Sequence, residues 1–417
     1  MNLKVSILVI ACLVLAPLAA SGTEIRVGIE DIPGMALAGS PFALILDGDL
    51  SLAQAERDLA VRWTNPSLVW EMEEVGNDDV TSREWVVALE KEFAMPWSYA
   101  KKRSGSNLRL ESARRSWEAS RWHLISHMRH GYVTLKLRDI EEEILEVFEE
   151  IIGDASRVIT DRKEQGTVSG IEKRLIDMSL ITVRARMVET RLERREVMDE
   201  WKTAMGIPAE DTVILVSEVD LSADWLSSSH VTADGSSDVE SRRLAMEALG
   251  KDIGLEKGDI FPSLSIAGGY KNVDDEFTGF IFGLSIPIPV LNRNSGGIDR
   301  ATAEHRKAQV ELDLYETARE RHLSRLMLAA RDEADLLKKY HGDFEFIEEH
   351  VADLALSYRE GWIDLGDFLE GIRTYAEGIE SYFDMLEDYN DIVFELERLT
   401  EQELYAPGTA RKEETGS

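Results

Sequence analysis

The chain has 417 residues, a formal net charge of −32 and 30% charged residues. That length suits one large domain or two ordinary ones. So acidic a balance excludes nucleic acid as a partner, because phosphates would repel it, and says little about fold.

The N-terminus reads MNLK, then the apolar VSILVIACLVLAPLAA, then SGT. A short basic start, an apolar run and small residues at its end mark residues 1–21 as a signal peptide, with cleavage expected near residues 20–22. A bare membrane anchor is the alternative. The sole cysteine, Cys12, lies in this run; it is a poor lipidation candidate, since VIAC departs from the expected pattern and more apolar chain follows. The mature chain therefore has no disulfide and relies on buried apolar surface or oligomerisation. No later apolar run approaches the ~18 residues of a membrane helix. If the exported chain crosses a membrane, strands must do it.

The first patterned element is a hairpin over about residues 67–93. Leu68, Trp70 and Met72 share one face against Glu71 and Glu73; on the partner strand Trp85, Val87 and Leu89 oppose Val86, Ala88, Glu90 and Glu92. A basic, Gly-containing break, KKRSGSN at residues 101–107, leads into helices over about 106–204. The proline-free span 106–163 would reach about 87 Å at 1.5 Å per residue. Leu137, Ile140, Ile144, Val147 and Ile151 step by 3 and 4, as do Met178, Ile181, Ala185, Val188 and Leu192 beyond the turn QGTVSG at 165–170. The Ser-rich stretch 227–238 reads as a linker.

The plan then repeats. NPSL at 65–68 matches FPSL at 261–264 with an offset of 196, and Gly166 matches Gly361 with an offset of 195, which indicates a tandem duplication. Residues 22–226 form the first repeat and 239–402 the second, with strands over about 263–287, helices over about 296–402 and a disordered tail at 403–417. In the second hairpin Leu264, Ile266 and Tyr270 oppose Ser265, Ala267 and Gly269; Phe280, Phe282, Leu284 and Ile286 oppose Gly279, Gly283 and Ser285. The break here is NRNSGG at 292–297. Two helical seams follow: Leu337, Tyr340, Phe344, Ile347, Val351, Leu354 and Tyr358, then Leu369, Ile372, Ala376, Ile379, Phe383 and Leu386. Strands of nine or ten residues suit a membrane β-strand or a soluble sheet packed on its own helices. Four strands cannot close a barrel, and open edges cannot sit in lipid, so the membrane reading needs a dimer of 8 strands or a trimer of 12.

NPSL, FPSLSIAGGY, GLSIPIPVLNRNSGG and SYREGWIDLGDFLEGIRTYAEG together resemble the TolC-like outer membrane efflux proteins, most closely the heavy-metal and cation efflux branch, over essentially the whole mature chain. The resemblance implies a mainly α fold with β: long coiled-coil helical hairpins forming an α-barrel, plus four strands per chain of a trimeric 12-stranded β-barrel in the outer membrane of a Gram-negative bacterium. It implies a passive duct, extending into the periplasm, with a homotrimer, a periplasmic adaptor (membrane fusion) protein, an inner-membrane efflux pump and outer membrane lipid as partners, and no cofactor. Gly166, Thr167, Val168 and Ser169, with Gly361, Asp364 and Leu365, match the adaptor-contacting tips. Glycine at a tight helix–helix turn also has a plain reason, since it accepts positive φ. Tyr358, Asp367 and Glu370 match gate positions, where a ring of carboxylates would attract cations. Ile363 stands where some relatives carry arginine, which departs from an arginine-locked gate.

His123, His127 and His130 share a helix face at i, i+4 and i+7, a spacing compatible with a metal or with plain solvated histidines; Leu124 excludes HExxH. No phosphate loop, dinucleotide fingerprint or nucleophile pattern is present, so no enzyme is expected. The competing readings are an exported soluble coiled-coil scaffold and a metal-binding periplasmic protein.

Overall fold

The computed structural model describes residues 22–76, 81–165, 169–219, 221, 235–261, 263–274 and 276–405. The signal segment with Cys12, and the tip residues Gly166, Thr167 and Val168, lie outside them. Six strands and eight α-helices follow in order: β1 (Glu24–Val27), α1 (Ile32–Gly39), α2 (Pro41–Val61), β2 (Ser67–Gly76), β3 (Thr81–Ala94), α3 (Pro96–Glu164), α4 (Gly170–Met205), β4 (Thr212–Leu215), α5 (Ser237–Gly258), β5 (Ser263–Val273), β6 (Phe277–Ser285), α6 (Ser295–Glu345), α7 (Ile347–Glu360) and α8 (Leu365–Thr400). No single helix among the described residues is long and apolar enough to cross a membrane.

Helix α3 has 69 residues, about 104 Å at 1.5 Å per residue. It starts at Pro96, where the ring fixes φ and the missing N–H costs nothing. The expected break at 101–107 is not there. Gly105 and Ser106 are buried inside the helix. A Cβ on Gly105 would meet Lys251 and Asp252 of α5 at 3.5 Å, so small residues here serve close helix packing. Ser112 Oγ donates to the Ser241 carbonyl across the same contact at 2.8 Å. Helix α5 starts at Ser237, so Ser237 and Asp238 belong to it and not to the linker. In the second half the break holds: Asn294, at φ 56°, precedes the start of α6.

Burial follows the second-half seams closely. Leu337, Phe344, Ile347, Val351 and Tyr358 are buried, as are Ile372, Ile379, Phe383 and Leu386. Tyr340 is half exposed. In the first half the seam sits about one position over: Leu137, Glu141, Ile144, Leu145, Phe148 and Ile152 are buried. Glu141 takes a core position because Arg138 and Arg186 reach it at 2.8 and 2.9 Å, while Arg138 also holds Glu387 at 2.8 Å. That ion network ties α3, α4 and α8 together.

The seam expected on α4 is not core. Ile176, Val183, Met187 and Thr190 face inward instead. Met178, Ile181, Val188 and Leu192 are 54–59% exposed, with Ile171 at 62% and Leu175 at 50%. Helix α4 therefore carries a second apolar stripe that the single chain leaves uncovered.

Two features lay outside the sequence reading. Strands β1 and β4 pair in parallel, Glu24 with Thr212 through Val27 with Leu215. The start of the expected tail is ordered: Leu404 and Tyr405 are buried. Their N–H groups donate to Glu397 Oε1 at 2.8 and 2.7 Å, and Arg129 donates to the Tyr405 carbonyl at 2.7 Å.

Candidate functional site

Two regions carry the geometry that function requires: the four-stranded sheet at one end and the helix tips at the other.

The sheet order is β2-β3-β5-β6, antiparallel throughout. Its register aligns Trp70, Val87, Tyr270 and Phe280 in one row, and Leu68, Leu89, Gly268 and Phe282 in another. Directly paired residues share a face, so both hairpins place their apolar sets on the same side. Across the strands the Tyr270 ring meets Trp85 at a tilt, 5.9 Å between centroids, and Phe280 edge-to-face at 6.0 Å. This face is uncovered: Phe280 is 80%, Phe282 88% and Leu68 74% exposed. The opposite face carries Glu71, Glu73, Glu84, Glu90 and Glu92 with Ala and Gly, and Glu84 pairs with Lys271 there. Gly269 is required by close approach, since a Cβ would lie 2.4 Å from the Val87 carbonyl oxygen. Strands β2 and β6 have no partner on their outer edges among the described residues.

At the other end, α7 stops at Gly361, whose φ of 78° is the left-handed region that glycine accepts. The Gly361 and Trp362 N–H groups donate to the Tyr358 and Ser357 carbonyls at 3.1 and 2.9 Å. Asp364 starts α8 by accepting from the Asp367 N–H at 2.9 Å, and Leu365 is buried. Ser169 starts α4 with a reciprocal cap, accepting from the Glu172 N–H at 3.3 Å while Glu172 accepts from the Ser169 N–H at 2.8 Å.

Tyr358 is buried and stacks on Phe368 at 4.9 Å. The Arg162 guanidinium sits 5.7 Å from its ring, and Arg162 donates to the Arg359 carbonyl at 2.9 Å, so the end of α3 and the end of α7 lie side by side. Burial pushes the Tyr358 hydroxyl pKa up, with Arg162 opposing. Asp367 and Glu370 are exposed, and Glu370 pairs with Arg373 at 2.6 Å. Ile363, the residue in the arginine position, packs against the core. Glu370 also lines a groove of about 700 Å³ between α4 and α8, with Val183, Arg186, Arg373, Ile379 and Glu380.

Sequence reasoning missed Arg162, Phe368 and Arg373 at this tip. Arg162 had only the basic run DRK before the turn as a signal; Phe368 follows the seam into the next helix. The three histidines separate: His130 holds Asp391 at 2.8 Å, His123 is half-buried and His127 exposed. No group of three or more His, Cys, Asp or Glu among the described residues is placed to hold a metal.

No protein-family profile and no curated protein sequence matches the chain. Solved structures do. The outer-membrane channel OprN superposes with a TM-score of 0.76 at 15% identity, covering 89% of both chains. The Campylobacter jejuni CmeC outer membrane channel gives a TM-score of 0.76 at 12% identity, over 89% of this chain and 85% of that one. The chain has the TolC-like outer membrane channel fold. CusC is also similar, with a TM-score of 0.69 at 14% identity over 89% of this chain and 90% of that one. Scores this close single out no branch of the TolC-like channels. Among the described residues of the single chain, both sheet edges and the outer stripe of α4 are uncovered.

Proposed function

We propose that the chain is one protomer of a trimeric outer membrane duct, a passive export channel from the periplasm to the outside. The carrying observation is the sheet: a predominantly apolar face across all four strands, broken by Lys91, Asn272 and Thr278, with both edges unpaired among the described residues. Lipid can take the apolar face, but unsatisfied edge N–H and C=O groups cannot stay in lipid. Three copies give 12 strands and an open lumen, lined by the Glu-bearing face. The helices then extend into the periplasm as an α-barrel.

In this reading the tips meet a periplasmic adaptor through Gly166, Thr167, Val168, Ser169, Gly361, Asp364 and Leu365, and an inner-membrane pump supplies the energy and the substrate. Tyr358, Asp367 and Glu370 form the gate, the carboxylates ringing a closed entrance. Their exposure beside a buried, stacked Tyr358 supports this assignment. Metal cations and drugs are both candidate cargoes; the lumenal glutamates favour cations.

Planar-bilayer recording of the purified protein tests the duct. The expected result is conductance from a trimer-sized, detergent-dependent particle, raised by Asp367→Ala with Glu370→Ala. A soluble monomer in the periplasmic fraction refutes the duct and favours a soluble coiled-coil scaffold.

A further inference from the structure

The apolar outer face does not stop where β6 stops. Beyond Leu284 come Ile286, Ile288, Val290 and Leu291, which are 46, 80, 72 and 100% exposed. Pro287 and Pro289 lie among them, and a residue without an N–H cannot extend a ladder or sit inside a helix. The sequence thus spends six residues holding apolar side chains outside both regular structures. Two large rings from other elements add to the exposed apolar surface at this end of the sheet: Trp97 of α3 and Phe261 before β5. The region is fixed in place. Trp97 Nε1 donates to the Gly258 carbonyl at 3.3 Å, and Asn294 Nδ2 donates to the Glu256 carbonyl at 2.9 Å. Glu256, Asp259 and Ile260 wall the loop 287–294.

Beside this apolar loop stand exposed cations. Lys101, Lys102 and Arg103 occupy the first turns of α3, Lys257 ends α5 and Arg293 follows the loop. Lys101 lies against Gly254 of α5. On the long helices most arginines are paired with carboxylates, as Arg138, Arg186 and Arg191 are. These five form no ion pair among the described residues. Two carboxylates of α5 are engaged elsewhere: Glu256 holds Arg300 and Asn294, and Asp252 pairs with Arg109. Asp259 remains close to Lys102. In a chain of net charge −32, five exposed cations outside any salt bridge stand beside this apolar loop.

Resting on the duct reading, we infer that Ile286–Leu291, Trp97 and Phe261 form a collar that seats in the periplasmic leaflet of the outer membrane, with Lys101, Lys102, Arg103, Lys257 and Arg293 binding anionic phospholipid headgroups. Apolar side chains reach the acyl region while long basic side chains hold the charged layer just outside it. Lipid is the inferred occupant because the loop continues from the exposed apolar face of β6 and is flanked by cations; a second copy seated on it is the outcome that an immobilised label at 291 would report.

The sole cysteine is Cys12, so with Cys12→Ser in the background Leu291→Cys and Phe282→Cys each give a single labelling site. Nitroxide-labelled trimers are reconstituted in phosphatidylcholine vesicles with phosphatidylglycerol. Both labels are expected to be relaxed by oxygen and shielded from a water-soluble nickel chelate. A lipid-exposed label at 282 with a nickel-accessible or protein-immobilised label at 291 overturns the collar and leaves the duct standing. A nickel-accessible label at 282 overturns the membrane reading itself. In the second arm, spin-labelled phosphatidylglycerol is expected to outcompete spin-labelled phosphatidylcholine roughly fivefold at the unmodified protein. That preference should fall toward unity in Lys101→Gln/Lys102→Gln/Arg103→Gln. An unchanged preference in the triple variant, or none in the parent, overturns the headgroup assignment.

Discussion

Replacing Ile181 by Asp separates a trimeric duct from a self-sufficient chain. Ile181 is 56% exposed, in the middle of a stripe running from Ile171 through Leu175 and Met178 to Val188 and Leu192, all 50–62% exposed. Burying the remaining half of each of six such side chains contributes about 1 kcal/mol apiece, or about 6 kcal/mol per stripe. An Asp at the centre removes about 1 kcal/mol of that and adds several kcal/mol for a carboxylate taken out of water without a partner. The substitution thus cancels most of one interface, and a closed trimer contains three. In a chain that functions alone the same change lies on a solvated helix surface and stays within about 0.5 kcal/mol. The assay is particle mass in detergent by light scattering, together with thermal unfolding followed by circular dichroism. Ile181→Asp should lose the trimer and keep its helical content. A trimer of unchanged mass and unchanged melting temperature would refute the claim that this stripe is an interface.

Arg129→Met should destabilise by about 3–5 kcal/mol, because it strands the Glu397 carboxylate in the core; Glu397 is fully buried. Circular dichroism melts and trypsin release of the C-terminus read this, and a melt indistinguishable from the parent would count against the Arg129–Glu397 pair holding residues 404–405 in place. The double change Arg129→Met/Glu397→Met should recover much of the loss. Burial and the nearby Arg398 hold the His123 pKa below its usual value of about 6.5. The folded state therefore binds fewer protons than the unfolded one in that window. The contribution is intact above about pH 6.5 and is lost as pH falls through the lower folded pKa. His123→Asn should flatten the decline in stability between neutral pH and about pH 5; an identical pH profile would show that His123 does not titrate in this way.

The strand faces were legible because a period of two leaves little freedom: once Trp70 and Phe280 are outward, the register carries Val87 and Tyr270 with them. The seam through Leu337 and Val351 was legible for the same reason at a period of 3.5. The first half was harder. Glu141 holds a core position that apolar counting assigns to Ile140, and only its two arginine partners make that tolerable. KKRSGSN looks like NRNSGG, yet Pro96 had already begun the helix and Gly105 was small in order to admit α5. The pairing of Glu24–Val27 with Thr212–Leu215 joins four-residue strands across most of a repeat, a separation at which local pattern carries no signal. At the tip, capping residues announced themselves, while the Arg162–Tyr358 contact depends on how two hairpins dock.

The two hairpins also differ as mechanical members. Helix α3 runs 69 residues from the sheet to the tip without interruption, so it is a strut. Its counterpart is jointed: α6 ends at Glu345 and α7 begins at Ile347, with Phe346 at φ −105°, ψ 14° between them. A sideways load applied at the tip is resisted along the whole length of the first hairpin. In the second it is relieved at the joint, about three-quarters of the way down from the sheet. Compliance is therefore concentrated in α7 and the part of α8 that packs on it, the segment that carries Tyr358, Asp367 and Glu370.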